Sequence, residues 1–366
     1  MKFHSVSATF LLITLLLSYL SAAYSSHDDI SKMFETWTKQ NAKTYASAEE
    51  KLYRLKVFAD NFEFVNNHNT QGKSSYTLSL NAFADLTHDE FKASHMGIST
   101  ASAPLDLLEH RLPFPDIVGQ APSAVDWRAE GAVTEVQNQG DCNSCWVFSG
   151  VGAIEGLNKI VNGTLVDLSE QEVVDCNGLA PGCVPGYVAN TYKFAIKNHG
   201  ILPENEYPYE AREMKCQTDK LNRGAGTIDA YSKVPYGNER LLLKVVAIQP
   251  VSVAICVKDR VFQLYSQDIF TGPCCLTVDH AVLIVGYGTS KNGVDYWIAK
   301  NSWGKQWGMD GYILLKRNVG RKGLCGINMW ATFPRKKGFH LRLPTESANY
   351  DILNVTAMQT TTKKSY

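Results

Sequence analysis

The sequence has no excess charge of either sign. Its 36 Lys and Arg side chains balance 36 Asp and Glu, for a formal net charge of +0, so there is no overall electrostatic footprint for nucleic acid. It has no uninterrupted apolar run of the roughly 18 residues a membrane-spanning helix needs. It has no internal repeat and no low-complexity tract, which sets aside solenoid and fibrous chains. Cysteine is too sparse for a disulfide mini-scaffold, with nine in 366 residues, and none precedes Cys142. An odd count leaves at least one thiol unpaired within the chain.

The ends read as processing segments. Lys2, the apolar stretch from Ala8 to Leu20 and the small residues Ser21, Ala22 and Ala23 make a secretory signal peptide. The compartment is then one where disulfides persist. Two glycosylation sequons fit it, at Asn162 and Asn354. The polar tail from about Lys337 to Tyr366 lacks a hydrophobic period and reads as loose or removable.

Between the ends the texture changes twice. Residues from about 30 to 92 are polar, with a helical face predicted at Leu52, Leu55, Phe58, Phe62 and Val65. Ala101 to Pro122 has little periodicity and reads as an extended connector. All nine cysteines follow. Val147, Val151, Ile154, Leu157 and Val161 recur at steps of four, three, three and four, predicting a helix from Trp146 to Val161. A capping signature at Ser169 to Glu172 opens another. Beyond residue 225, short β-type runs at Val251 to Ile255, Ala281 to Val285 and Tyr296 to Ala299 are punctuated by Gly and Pro. A helical half followed by a strand-rich half predicts two lobes with a cleft between them.

The densest chemical signal is Gln139-Gly140-Asp141-Cys142-Asn143-Ser144-Cys145-Trp146. Cys145 precedes the predicted helix, where free backbone N–H groups and the positive end of the dipole favour thiolate. A histidine has to take up the proton. Two other stretches supply partners: Val278-Asp279-His280-Ala281 and Lys300-Asn301-Ser302-Trp303-Gly304. Cys142 and Cys145 also form a C-x-x-C, the pattern of a redox dithiol or half a zinc site. No second such pair or His pair at ligand spacing accompanies it.

These motifs resemble the papain family of cysteine endopeptidases, made as preproenzymes, and the likeness runs from about residue 31 to about 335. The resemblance implies an α+β, papain-like two-lobe fold, with a helical left lobe, a β-barrel-like right lobe and a cleft between them. It implies Cys145 as nucleophile, His280 as general acid/base and Asn301 as its orienter. Gln139 would donate to the oxyanion beside the Cys145 backbone N–H, and Trp303 would shield the Asn301–His280 hydrogen bond. The leader residues Glu50, Arg54, Phe58, Asn61, Val65 and Asn69, and then Ser79 to Asp85, are similar to the family's two propeptide motifs. Such a leader threads the cleft backwards and blocks it until removed, often on acidification. The chain would divide into a signal peptide (1–23), an inhibitory propeptide (24–120), a papain-like peptidase domain (121–336, lobes about 121–230 and 231–336) and a C-terminal extension (337–366). The mature start falls near Ala121 and Pro122.

The resemblance also implies bridges Cys142–Cys183, Cys176–Cys216 and Cys274–Cys325, with Cys145 as the functional free thiol. Cys256 then reads as a buried small hydrophobe, and Cys275 as a competitor for Cys325 or an exposed thiol. No cofactor or metal is implied. The partners are polypeptide substrates, the chain's own propeptide and cystatin-type inhibitors, with no nucleic acid and no membrane, for a monomer in a vacuole, a lysosome or the extracellular space.

Departures cluster at the expected cleft. Asn143 stands where the family carries glycine, Val147 where it carries a small alanine, and Pro185 beside Gly186, whose backbone would pair with extended substrate. The main specificity pocket would be lined by Tyr187, Val188, Ala254, Val278 and Ala281, with Trp330 at its far end, and Asp279 and Trp303 would contact substrate outside it. No carboxylate is expected in that pocket, predicting compact apolar P2 side chains over Phe or Arg. Crowding by Asn143, Val147 and Pro185 keeps open a weakly active or non-enzymatic storage or defence protein of the same fold. A redox protein predicts instead a bridge between Cys142 and Cys145.

Overall fold

The computed structural model describes residues 29–99, 111–178 and 182–343. The expected signal peptide, the sequon at Asn354 and most of the tail lie outside these. The leader opens with α1 (29–40) and α2 (Ala48–Gln71). The Ser47 side chain accepts the Glu50 amide to start α2, and Gly72, at φ 59°, ends it. Phe58 and Val65 are buried as the periodicity predicts, but Leu52 is exposed. Each step of three lags the helical period by about 60°, so Leu52, two such steps from Phe58, has turned off the face. The short strand β1 (Thr77–Leu78) and α3 (His88–His95) follow, α3 being opened by a capping box between Thr87 and Glu90. The connector carries β2 (Arg111–Leu112).

The cross-linked part begins with β3 (Val125–Asp126). Three helices come next: α4 (Cys145–Asn162), α5 (Glu170–Cys176) and α6 (Val188–Lys197). Val147, Val151, Ile154 and Leu157 on α4 are fully buried, and Val161 at its last turn is exposed. The helix is enclosed almost all round because small residues let neighbours approach: a Cβ on Gly150 would stand 2.8 Å from the Thr191 side chain of α6. The rest is strand-rich, with β4 (Ala230–Lys233), α7 (Glu239–Val246), β5 (Val251–Ile255), α8 (Arg260–Gln263), β6 (Tyr265–Gln267) and β7 (Ile269–Phe270). It ends with β8 (His280–Thr289), β9 (Asp295–Lys300), β10 (Tyr312–Lys316) and β11 (Ala331–Arg335). Helices first and largely antiparallel strands later make the α+β class.

The main sheet runs β2-β4-β11-β5-β8-β9-β10-β7, an open path from β2 to β7, with β3 on β8. Its centre positions the chemistry. β8 pairs antiparallel with β5, setting Ala281 opposite Ala254 and His280 opposite Ile255. It also pairs antiparallel with β9, Leu283 opposite Lys300. The start of β8 and the end of β9 therefore lie at one end of the sheet, which brings His280 and Asn301 together.

The leader docks on residues 258–270. β1 adds antiparallel to β6. Asn81 Nδ2 donates to the Gln263 carbonyl at 2.8 Å, and Gln263 Nε2 donates to the carbonyls of Phe83 and Leu86 at 3.0 and 2.9 Å. Buried Asn61 donates to the carbonyls of Ala84 and Leu86 and accepts from Arg260 Nε at 2.9 Å, while Arg260 also pairs with Asp60 at 2.7 Å.

Four disulfides join Cys142 to Cys183, Cys176 to Cys216, Cys256 to Cys275 and Cys274 to Cys325. Cys145 is the free cysteine. The pair Cys256–Cys275 corrects the expectation of two unpaired residues. The end of β5 faces the loop before His280, with Cα atoms 5.5 Å apart, inside the bridging range. Adjacent Cys274 and Cys275 thus fasten that loop in two directions. Among the described residues no helix is long and apolar enough to cross a membrane, and no group of acidic, His or Cys side chains could hold a metal ion.

Candidate active site

Cys145 is the first residue of α4, following an N-cap, Ser144, that makes no side-chain cap. Its buried sulfur accepts the Ala281 backbone N–H at 3.4 Å. His280 turns Nε2 to Asn301 Oδ1 at 2.8 Å, and its Nδ1 is buried with no hydrogen-bond partner. Asn301 Oδ1 also accepts the Ser302 amide at 2.8 Å, which fixes the side chain that orients the ring. Trp303 stacks on His280 at 4.5 Å and is itself buried, a cover that keeps water from the His280–Asn301 bond. Gln139 lies buried beside the Cys142–Cys145 loop, Nε2 donating to the Cys142 carbonyl at 2.8 Å and Oε1 accepting from Ser302 Oγ at 2.7 Å.

The protonation state in this covered form differs from the thiolate favoured on sequence grounds. Burial pushes the Cys145 thiol up to about 12, outweighing backbone N–H groups of Ala281, Gly97 and Trp146 that pull it down. Burial likewise lowers His280 to about 4, against the Asn301 hydrogen bond that favours its cation. With water excluded, the neutral forms of both are preferred.

What excludes water is the leader. Ile98 bridges Gly186 in parallel. Gly186 N donates to the Gly97 carbonyl at 2.9 Å and Ser99 N to the Gly186 carbonyl at 3.0 Å, while Ile98 N donates to the Asp279 carbonyl at 3.0 Å. Gly97 rides directly over the nucleophile loop, so that a Cβ there would lie 3.0 Å from Cys145 Sγ and collide with the Asn143 carbonyl. Only glycine fits. On α3, Phe91 meets Trp303 edge-on at 4.9 Å, and His95, 3% exposed, stacks on Phe91 at 4.7 Å and stands edge-on to Trp303 at 6.3 Å.

The remaining expected cleft residues divide by position. Gly186, Asp279 and Asn143 touch the leader strand directly, and the Tyr187 hydroxyl accepts from Ser99 Oγ at 3.2 Å. Ala254 and Ala281 oppose each other on β5 and β8, Val278 is buried on the approach to β8, and Val188 is half-buried at the start of α6. Trp330 is 42% exposed, with its carbonyl accepting from Ala254 N and the Lys233 ammonium 3.8 Å over its ring. Sequence reasoning missed Lys233, Gly97 and His95. A lone Lys on a strand carries no local signal, and the His95-Met96-Gly97-Ile98 stretch reads as an ordinary helix end. Asn162 is exposed at the last position of α4, ahead of Gly163 at φ 82°.

Comparison with known proteins bears on this arrangement. The profile of papain family cysteine proteases matches residues 121–335, and that of the cathepsin propeptide inhibitor domain matches 34–91. Cysteine protease XCP2 of Arabidopsis thaliana is 46% identical over 324 residues, covering 88% of this chain and 90% of the relative. Among solved structures, recombinant stem bromelain precursor superposes with a TM-score of 0.77 at 35% identity, covering 84% of this chain and 99% of that one. The proform of the ragweed pollen allergen Amb a 11 gives 0.77 at 36% identity, covering 84% and 95%.

Proposed function

The chain belongs to the papain family of cysteine proteases and is the zymogen of an endopeptidase, and from that premise we propose that it cleaves peptide bonds through an acyl-enzyme on Cys145. His280 takes the thiol proton, and the sulfur attacks the scissile carbonyl carbon. The Cys145 N–H and the Gln139 amide receive the developing oxyanion. Collapse expels the amine, which leaves with the proton from His280. Water, deprotonated by the same ring, then hydrolyses the thioester. Asn301 keeps Nε2 occupied, so that Nδ1 is the nitrogen that exchanges the proton.

The observation that carries this reading is one free, buried thiol that accepts the backbone N–H of Ala281, the residue next to a histidine held by Asn301, beneath a leader segment. The P2 pocket takes compact apolar side chains. Ala254, Ala281 and Val278 leave it small, and the ammonium of Lys233 over Trp330 disfavours Arg. Processing near Ala121 and Pro122 frees residues 121–336 as a monomer, with lobes about 121–230 and 231–336. The tail beyond 337 is removable, Asn162 is glycosylated in the secretory pathway, and the uncovered cleft admits a cystatin-type inhibitor. A vacuole, lysosome or extracellular space is the destination.

Acid incubation of the full chain, with N-terminal sequencing, epoxide labelling and a P2-scanned peptide library, tests this. We expect a new N-terminus near 121, labelling of Cys145 with loss of hydrolysis, and Val, Leu or Pro leading at P2. An unlabelled Cys145 in processed, active protein overturns the mechanism, and Arg or Phe leading at P2 overturns the pocket assignment.

A further inference from the structure

We propose that Asn143 is a recognition residue for the leader, capping the C-terminal end of α3 from the other side of the cleft. The inference rests on the reading of the leader as the plug over Cys145. It adds which side chain holds the plug.

A helix leaves its last carbonyls without intrahelical partners, and they are commonly satisfied by a left-handed glycine turn. α3 ends without one: its C-cap, Met96, is extended at φ −117° and ψ 116°. The missing donor comes from Asn143. In one amide orientation Asn143 Nδ2 donates weakly to the Ala93 carbonyl of α3 at 3.4 Å and to the Cys183 carbonyl at 3.5 Å. This leaves its oxygen facing only carbonyls, so hydrogen bonding favours the turned amide, whose nitrogen donates to the Met96 carbonyl at 2.8 Å and the Ser94 carbonyl at 3.2 Å. The neighbouring contact locks the register, because Gly97 lies against the Asn143 carbonyl and the Cys145 sulfur where no Cβ fits. Glycine, which the family carries at this position, has no side-chain donor to offer. The chemical class Asn143 recognises is therefore a pair of backbone carbonyls, two residues apart in sequence, at an uncapped helix end.

The test uses the intact zymogen at pH 7, with Asn143→Gly and Asn143→Asp beside wild type. Asn143→Asp keeps the shape but sets a carboxylate against two carbonyl oxygens. Hydrogen exchange at the amides of Gly97, Ile98 and Ser99 reads leader opening without using activity. Epoxide labelling of Cys145 in each zymogen, divided by labelling of the same variant after processing, reads it at the thiol. Losing two hydrogen bonds corresponds to opening about tenfold more often in Asn143→Gly, with a larger increase in Asn143→Asp. Exchange and labelling ratios within about twofold of wild type in both variants overturn the proposal. A processed wild type that resists the epoxide instead sinks the assignment of Cys145, and leaves the exchange measurement to decide the role of Asn143.

Discussion

Asn301 reaches His280 through one bond of 2.8 Å and is itself pinned by the Ser302 amide. In the proposed mechanism it acts through the ring it holds. Replacing it by Ala is expected to lower kcat about 10- to 100-fold with little change in KM. It should also shift the pH profile, since a free imidazole adopts other tautomers and orientations. Steady-state kinetics across pH checks both. In the proposed mechanism Gln139 acts on charge developing at the substrate. Gln139→Ala should cost about 10²- to 10³-fold in kcat, the usual effect of losing one oxyanion donor. An unchanged kcat in that variant leaves the Cys145 N–H as sufficient.

At the scale of elements, α2, β1 and α3 are held by buried aromatic contacts, among them Phe83 and Phe91 on Trp303, and by a few buried polar side chains. Asn61 is the hinge of that attachment, with two carbonyls of residues 84–86 on its amide nitrogen and Arg260 of α8 on its oxygen. Asn61→Ala strands those partners, at about 1–3 kcal/mol for each buried group left unpaired. The zymogen should then process at a higher pH and faster than wild type, measured by the appearance of the shortened chain on a gel. Processing indistinguishable from wild type shows that β1 on β6 and the Asn81–Gln263 contacts suffice. Elements in the catalytic half are more tightly constrained. β5, β8 and β9 aim Ala254, His280 and Asn301 by register alone, and the loop before His280 is fastened by both Cys274 and Cys275.

For the whole molecule, the burial of His95 predicts that the leader's hold depends on pH. His95 is lowered to about 4 by burial, with Asp141 favouring its cation and Lys43 opposing it, and His280 is lowered to about 4 as well. Once the leader leaves, His95 meets water and returns towards its ordinary value near 6.5. The open form thus binds more protons, and the closed form loses stability as pH falls from about 6.5 to about 4, with no further loss from this residue below that. His95→Gln should flatten the pH dependence of zymogen opening by about one proton across this window. A slope equal to wild type removes His95 from the acid response. Much of this architecture was legible in the chain, since the α4 periodicity, the Ser169 cap and the β-type runs at 251, 281 and 296 rest on local patterning. Cys145, His280 and Asn301 were recognisable from their flanking residues. What was not legible depended on contacts between distant segments. Leu52 falls off its face through phase drift, Cys256 and Cys275 meet across a loop, and burial of Cys145 pushes its thiol up against the backbone N–H groups that pull it down.

The indole of Trp303 is walled by Phe83, Phe91 and His95, all contributed by the leader. Departure of that segment strips one flank of the ring and turns it to solvent, so its emission should move to longer wavelength as the imidazole of His95 withdraws. Activation can then be followed by intrinsic fluorescence with no substrate or dye, and a Trp303→Phe chain, retaining six other tryptophans, should lose most of that signal. The newly wetted ring also offers a greasy landing for polypeptide beyond the scissile bond, so longer substrates should be cut more efficiently than short ones.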